Sequence, residues 1–401
     1  MKKFLFGISA AAMAAALSTS ATAQSIDIDQ IVAPRTVQSA WASQAPSNPP
    51  RDPLVGEDPD LNPPRDVVKM DPITPNIRVR KPSGEGQSAF VDQSGLDNQV
   101  DIGQAAAGNG AVADVIQDGN NNAAQVRQAL NGGSAGDYAV VTSFGFDNTA
   151  VIRQAQTGES TNFADIQQGN DGSGAGQIGA TATSTDNFAE VRQNGTGNLA
   201  DVNQGEAAQA DSPTGQTGAN SDSNFSFVSQ QGDFGEARID QVSDDHVASI
   251  VQRNGIANEA SARQLGTFGS RNGHASRITQ DGSFNDAKTI QRGESQAEET
   301  FQLGIENAAL TIQDGDSNQA LTLQRGDFNM ASTLQNGEFN SSTITQDGTG
   351  NMAAVFQNGD LGLSAVQQVG LDNVASVVQN GLGDVANVQQ FGGGNISAVV
   401  Q

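Results

Sequence analysis

Residues 313–346 read QDGDSNQALTLQRGDFNMASTLQNGEFNSSTITQ. Glutamine returns here every eleventh residue, and a glycine follows each of the first three glutamines by two positions. The units that begin at Asn318 and Asn329 read N-x-A-x-T-x-Q, and the unit that begins at Asn340 reads N-x-S-x-I-x-Q. In all three, the recurring side chains alternate with variable ones. Such alternation places the recurring side chains on one face of a β-strand, whereas it would scatter them around a helix. The glycine suits a tight corner, so the stretch predicts seven-residue strands joined by four-residue corners.

The repeat continues far beyond this stretch. It runs without insertion from Gln280 to Gln401, and a looser form begins at Gln87. Two units would make one coil with two opposed strands. We therefore predict an all-β fold, a parallel in-register two-sheet β-solenoid of about 13 coils with 22-residue repeats.

In such a stack, recurring amides would lie inside, one strand spacing apart. Buried amides need hydrogen-bond partners, and identical amides in successive coils can supply them to each other. We expect a structural ladder of the glutamines that end the strands and the asparagines that precede them. The glutamines are Gln280, Gln291, Gln302, Gln313, Gln324, Gln335, Gln346 and Gln357, and the asparagines are Asn285, Asn307, Asn318, Asn329, Asn340 and Asn351.

The other inward positions carry small or β-branched residues. The fifth position is threonine in five successive strands, from Thr289 to Thr333, and valine from Val355 onward. Such residues suit a thin core between two close sheets. His246 and His274 occupy the position of the ladder asparagine, and we interpret them as ladder substitutions rather than catalytic groups or metal ligands.

The chain divides into three segments. Residues 1–23 have a basic start, an apolar run and a small-residue cleavage motif, which predict a signal peptide. Residues 24–86 hold all but one of the 12 prolines, and we predict a disordered Pro/Asp-rich linker or export segment. Residues 87–401 form the repeat array. No later apolar run is long enough for a transmembrane helix, so we expect an exported protein without a transmembrane anchor.

Two features break the uniformity of the array. Corner insertions occur at 105–110, 129–136, 155–161, 205–223 and 265–273. Counted from Gln87, all five follow even-numbered strands, so we expect them at one edge of the solenoid. From residue 308 onward, the outward residues of alternate strands are mostly apolar, which predicts an interaction surface on one sheet.

Composition excludes several function classes. The formal net charge of −25 disfavours nucleic acid as a partner. The absence of cysteine excludes thiolate catalysis and cysteine-based zinc sites. No catalytic set of residues stands out, so we expect no enzyme activity and no cofactor. The Asp-Gly corners leave weak calcium binding open, but this alternative is less favoured because each corner usually offers only one carboxylate. The rows of threonine leave ice binding open, but this alternative is also less favoured because the threonines face inward.

The repeat resembles the curlin repeat family. The residues that carry the resemblance are Gln280-x-Gly282-x-x-Asn285-x-Ala287-x-x-x-Gln291 and the successive copies of this unit, within residues 87–401. The resemblance implies a functional amyloid subunit of curli, which self-associates into extracellular fibres for biofilm matrix and adhesion. It further implies a Gram-negative bacterium, passage through the periplasm and an outer-membrane secretion channel, and a nucleator subunit as partner.

A non-polymerising surface adhesin, or an accessory or nucleator β-solenoid, is the alternative. For a polymerising subunit we expect growth through the last strand, because an unpaired strand edge is a template for another chain. The inward residues of that strand are Asn395, Ser397, Val399 and Gln401.

Overall fold

The computed structural model describes residues 67–69, 76–80, 88–104, 111–128, 137–155, 162–168, 184–204, 221–266 and 273–401. The predicted signal peptide, 1–23, lies outside these residues. The described chain alternates between two parallel sheets and contains no helix.

Sheet A has 16 strands, which are β1 (Val67–Lys69), β3 (Ser88–Ser94), β5 (Val112–Asn120), β7 (Tyr138–Phe146), β9 (Phe163–Gln168), β10 (Ser184–Thr185), β12 (Leu199–Gln204), β13 (Ser221–Asp222), β15 (Glu236–Val242), β17 (Glu259–Gly266), β19 (Asp286–Glu294), β21 (Ala308–Asp316), β23 (Met330–Glu338), β25 (Met352–Asn358), β27 (Val374–Gln379) and β29 (Ile396–Val400). Sheet B has 13 strands, which are β2 (Asn76–Arg80), β4 (Gln99–Gln104), β6 (Ala123–Gln128), β8 (Thr149–Ala155), β11 (Phe188–Asn194), β14 (Phe225–Asp233), β16 (Val247–Ile256), β18 (Ala275–Ser283), β20 (Ala297–Ile305), β22 (Gln319–Arg325), β24 (Ser341–Thr349), β26 (Leu363–Leu371) and β28 (Val385–Gly393).

Neighbouring strands pair in parallel and in register. Thr311 of β21 lies opposite Thr333 of β23, and Gln313 lies opposite Gln335. Each coil therefore places identical repeat positions above each other, 22 residues apart in this part of the chain. The predicted parallel, in-register two-sheet β-solenoid is confirmed.

The core is the thin space between the two sheets. In the N-terminal half it is filled by alanine, valine and isoleucine, of which Val115, Ile152 and Ile239 are fully buried. The threonines from Thr289 to Thr333 are buried in the same position. At the corners, the residue two positions before the strand, such as Phe284 before β19, commonly has a positive φ, and so does the repeat glycine.

The two sheets begin earlier than the sequence indicated. Val67 of β1 pairs with Phe90 of β3, and Asn76 of β2 pairs with Gln99 of β4. These strands lie within 24–86, the segment predicted to be a disordered linker. Both contain β-branched residues and no proline, while the prolines flank them. A high proline content of the whole segment thus does not prevent short proline-free runs from pairing.

The corner insertions do not share one edge, so that prediction is wrong. The first three follow β4, β6 and β8 of sheet B, whereas those near 205 and 265 follow β12 and β17 of sheet A. The expected count of strands fails between β9 and β11, because the one strand described there, the two-residue β10, belongs to sheet A like β9. Insertions therefore leave one long edge of the solenoid before residue 162 and the opposite edge after it.

Candidate functional site: amide ladders and outer faces

Stacked glutamines form a continuous hydrogen-bonded ladder inside sheet B. The Nε2 of Gln302 donates to Oε1 of Gln324 at 2.9 Å, and Gln324 donates to Gln346 at the same distance. The full ladder is Gln104, Gln128, Gln154, Gln193, Gln230, Gln252, Gln280, Gln302, Gln324, Gln346, Gln368 and Gln390. The predicted bonds between stacked amides are therefore present.

Each ladder glutamine also joins the two sheets. Nε2 of Gln302 donates a second bond to the carbonyl of Asp286 in sheet A at 2.8 Å, and Gln324 donates to the carbonyl of Ala308 at 2.9 Å. Both protons of the amide are thus used, which removes the cost of burying it. Gln291, Gln313, Gln335 and Gln357 form the same two kinds of bond within the ladder of sheet A.

Asparagines form a second kind of ladder at the corners. Oδ1 of Asn285 accepts bonds from the backbone N–H and from Nδ2 of Asn307, both at 3.1 Å. Nδ2 of Asn307 also donates to the carbonyl of Gly326 at 2.7 Å. Asn329 and Asn351 repeat this pattern in the same column. Asn318 and Asn340 lie in the column at the opposite edge, where Asn340 N–H donates to Asn318 Oδ1 at 2.9 Å.

The two histidines continue that opposite column. Their rings stack with centroids 4.9 Å apart and planes 2° from parallel. Nδ1 of His246 accepts the backbone N–H of His274 at 3.0 Å, and Nδ1 of His274 accepts that of Gln296 at 3.3 Å. Each ring therefore replaces the Oδ1 of an asparagine, as predicted. Burial, together with the neighbouring ring, lowers the pKa of His246 to about 3, and burial lowers that of His274 to about 4.

One rung of the sheet A ladder is missing. Ser143 lies opposite Gln117 on one side and Gln168 on the other. Its hydroxyl donates to Oε1 of Gln168 at 2.9 Å but does not reach Gln117. Nε2 of Gln117 is buried, and it has no hydrogen-bond partner within the described part of the chain.

A carboxyl group lies in the core where the repeat normally has alanine or serine. Glu298 of β20 is 5% exposed, and it accepts bonds from the hydroxyls of Ser276, at 2.8 Å, and Thr300. Burial raises its pKa to about 7. The repeat register places residue 298 at an inward position, but sequence reasoning did not single it out, because a lone glutamate is rarely buried.

Charged and apolar regions divide the outer face of sheet A. Glu236, Glu259 and Asp286 stack in register on β15, β17 and β19. Burial and the neighbouring carboxylates raise the pKa of Glu236, and likewise that of Asp286, to about 7. Beyond β19 the outward positions are mostly apolar.

We call the next outward residues the apolar wall. Its members on β21, β23, β25, β27 and β29 form three in-register columns. They are Ala308, Met330, Met352, Val374 and Ile396; Leu310, Ser332, Ala354, Ser376 and Ala398; and Ile312, Leu334, Phe356, Val378 and Val400. The alternating residues of these strands, such as Ala331 and Thr333, are buried, so the wall faces outward as predicted.

Acidic corner residues have a structural role that the sequence did not reveal. Oδ1 of Asp327 accepts the backbone N–H of Ile305 in the preceding coil at 2.9 Å, and Asp360 accepts that of Glu338 at the same distance. These carboxylates therefore tie successive corners together. Among the described residues, no group of three or more histidine, aspartate or glutamate side chains is arranged to hold a metal ion.

The last strand carries the residues predicted to form a polymerisation edge. β29 pairs with β27, and within the described structure it has no second neighbour. Asn395 donates to Asn373 Oδ1 at 2.8 Å, and Gln401 Oε1 accepts from Gln379 at 3.2 Å. Asn395, Ser397 and Val399 are half-buried and Gln401 is exposed, unlike their buried equivalents in the interior coils.

Comparison of the sequence with known protein families and curated proteins identified no relative of this chain. No protein family model matches the chain, and no curated protein is significantly similar to it. The described part of the chain contains no helix that is long and apolar enough to cross a membrane. The resemblance to curlin repeats therefore rests on the residues of the repeat alone.

Proposed function

We propose that this chain is a secreted structural protein, a curlin-like functional amyloid subunit that assembles into extracellular fibres for adhesion and biofilm matrix. The proposal includes export through the periplasm and an outer-membrane channel of a Gram-negative bacterium, and nucleation by a partner subunit. Its activity is self-association, without catalysis and without a cofactor.

The in-register amide ladder is the observation that supports it best. Each coil presents to the next a row of strand N–H and C=O groups, a glutamine amide and an asparagine amide, all at equivalent positions. A coil of a second molecule offers the same groups in the same order. Stacking between molecules can therefore repeat the contacts found within one, which is the arrangement of cross-β fibres.

The direct test is electron microscopy of the purified chain lacking residues 1–23, left to stand at tens of micromolar. We expect unbranched fibres with the roughly 4.8 Å spacing of stacked strands along the fibre axis. A chain that stays monomeric under these conditions would favour the surface adhesin.

A paired set of variants tests the role of the ladder. We expect Gln324→Ala with Gln346→Ala to slow fibre growth strongly, because Gln302 loses its acceptor and Gln368 loses its donor. Each unsatisfied buried group costs about 1–3 kcal/mol. The control is Gln319→Ala with Gln367→Ala, which removes two outward amides of the same sheet that are not buried. Equal growth rates of the two double variants, followed by dye fluorescence, would contradict the proposed role.

A further inference from the structure

The shape of the apolar wall is that of two ridges with a groove between them. The outer columns carry large side chains, including Met330 and Met352 on one side and Leu334 and Phe356 on the other. The middle column is small beyond Leu310, with Ser332, Ala354, Ser376 and Ala398. Adjacent columns are about 7 Å apart, so a ridge from an identical surface fits the groove when two walls are offset by one column.

The columns of the wall determine how a second copy can face it. A twofold axis along the solenoid stack reverses the strand direction, so each copy can place one ridge in the groove of the other. A twofold axis along the strands would place each column over its own equivalent, ridge against ridge. The margins of the wall add no preference, since one carries Asp314 and Glu338 beside the exposed Phe339, and the other carries Asp327 and Asp372 beside Phe328 and Leu371.

The size of the wall limits how stable one such pair can be. Three columns and five strands span about 20 Å by 24 Å, roughly 500 Å². Stable interfaces bury about 800 Å² on each partner. A pair of single molecules is therefore weak, whereas repetition of the wall along two stacks makes the contact strong.

We propose that the apolar wall is the lateral interface between two copies of this chain, packed ridge into groove, with their solenoid stacks parallel and of the same polarity. This inference rests on the proposed function, since it places two stacks side by side in one fibre. It concerns a different surface from the coil-on-coil contact, which uses the strand edges and the ladders.

The test compares Ala354→Lys with Ala365→Lys. Ala354 is the centre of the groove on β25, and Ala365 is the equivalent outward residue of β26 on sheet B; both are half-buried. Cryo-electron microscopy counts the stacks in each fibre cross-section. We expect paired stacks in the unmodified chain and in Ala365→Lys, and single stacks in Ala354→Lys, because an ammonium group in the groove excludes the ridge.

The outcomes separate the two proposals. Paired stacks in Ala354→Lys, or single stacks in the unmodified chain, would overturn the lateral interface while leaving fibre formation intact. If the unmodified chain forms no fibres, the proposed function fails, and sedimentation velocity at increasing concentration tests the wall. A weak dimer that Ala354→Lys abolishes and Ala365→Lys keeps would support the interface, and a monomer at all concentrations would overturn it. Circular dichroism checks that both variants are folded.

Discussion

At the scale of single residues, stability depends on whether each buried polar group finds its partner in the next coil. The ladder glutamines meet this condition with two donated bonds each, one up the stack and one across the core. The interruption at Ser143 shows the same rule by contrast, because it leaves the amide of Gln117 without an acceptor in the described part of the chain.

Ser143→Gln should repair this rung. The backbone register already places residue 143 between Gln117 and Gln168. A glutamine there could accept from Gln117 and donate to Gln168, so we expect the free energy of unfolding to rise by about 1–2 kcal/mol. Urea unfolding followed by circular dichroism measures the change.

Ser143→Ala is the matched control. It removes the one existing bond to Gln168 and adds none, so we expect lower stability than in the unmodified chain. If the glutamine variant is as unstable as the alanine variant, the continuity of this ladder does not contribute to stability.

The stacked histidines should make the solenoid sensitive to acid. Their pKa values in the folded chain, about 3 and about 4, lie below the ordinary value of 6.5. Above pH 6.5 both rings are neutral in the folded and unfolded states, and they cause no pH dependence. As the pH falls from 6.5 towards 4, the unfolded chain binds protons that the folded chain does not, so stability is lost.

We therefore expect His246→Asn with His274→Asn to lose less stability than the unmodified chain between pH 7 and pH 4.5. The difference should be roughly 2–5 kcal/mol, from two buried groups whose shifts each count about 1.4 kcal/mol per pKa unit. Glu298 and the stacked carboxylates act in the opposite direction, and they are common to both chains. Thermal melts at the two pH values measure the difference, and identical losses in the two chains would contradict it.

At the scale of strands and corners, the eleven-residue period explains what the sequence could and could not predict. The period indicated the inward positions and the register, because both are local consequences of alternation. It gave the wrong strand length in much of the array, where strands such as β19, β21 and β23 run for nine residues and include the repeat glycine, which leaves shorter corners. The corner glycines also have little freedom. A Cβ on Gly315, whose φ is 113°, would lie 2.2 Å from the carbonyl oxygen of Gly337 in the next coil.

The errors arose where the local signal stopped. Between β9 and β11 the chain contains a long stretch without a clear unit, so the number of strands could not be counted and the edge of the later insertions was assigned wrongly. The strands β1 and β2 were missed because they lack the ladder amides and lie among prolines. Glu298 was missed for a related reason, since one of its two partners, Ser276, lies 22 residues away in the preceding coil of the same sheet.

At the scale of the whole molecule, one inward pattern serves both sheets. Strands of sheet A and sheet B carry the same buried asparagine, small residue and glutamine, and they differ mainly in their outward residues. A strand should therefore be able to exchange sheets if the chain is shortened by one unit. Deletion of 297–307 removes β20 and one corner, and deletion of 286–307 removes β19 and β20, a complete coil.

Disulfide cross-linking can distinguish the resulting registers, because the chain has no cysteine of its own. Leu310 lies opposite Lys288 in the unmodified chain. After deletion of 297–307, we expect β21 to join sheet B on β18, which places Leu310 opposite Arg277. After deletion of 286–307, β21 should remain in sheet A on β17, which places Leu310 opposite Ser261. Paired strands hold equivalent residues about 4.8 Å apart, within the range of a disulfide bond.

Leu310→Cys is therefore combined in turn with Ser261→Cys and Arg277→Cys in each of the three chains, and with Lys288→Cys in the two chains that retain residue 288. We expect one efficient cross-link per chain, with Lys288→Cys in the full chain, Ser261→Cys after the 22-residue deletion and Arg277→Cys after the 11-residue deletion. If the shorter deletion keeps the cross-link to position 288, the chain has looped out to hold β21 in sheet A. The two sheets would then be distinguished by their outward residues, and the wall would be part of what specifies the fold. If the cross-link moves to position 277, the inward pattern alone directs the stack, and the wall is free to serve contacts between molecules.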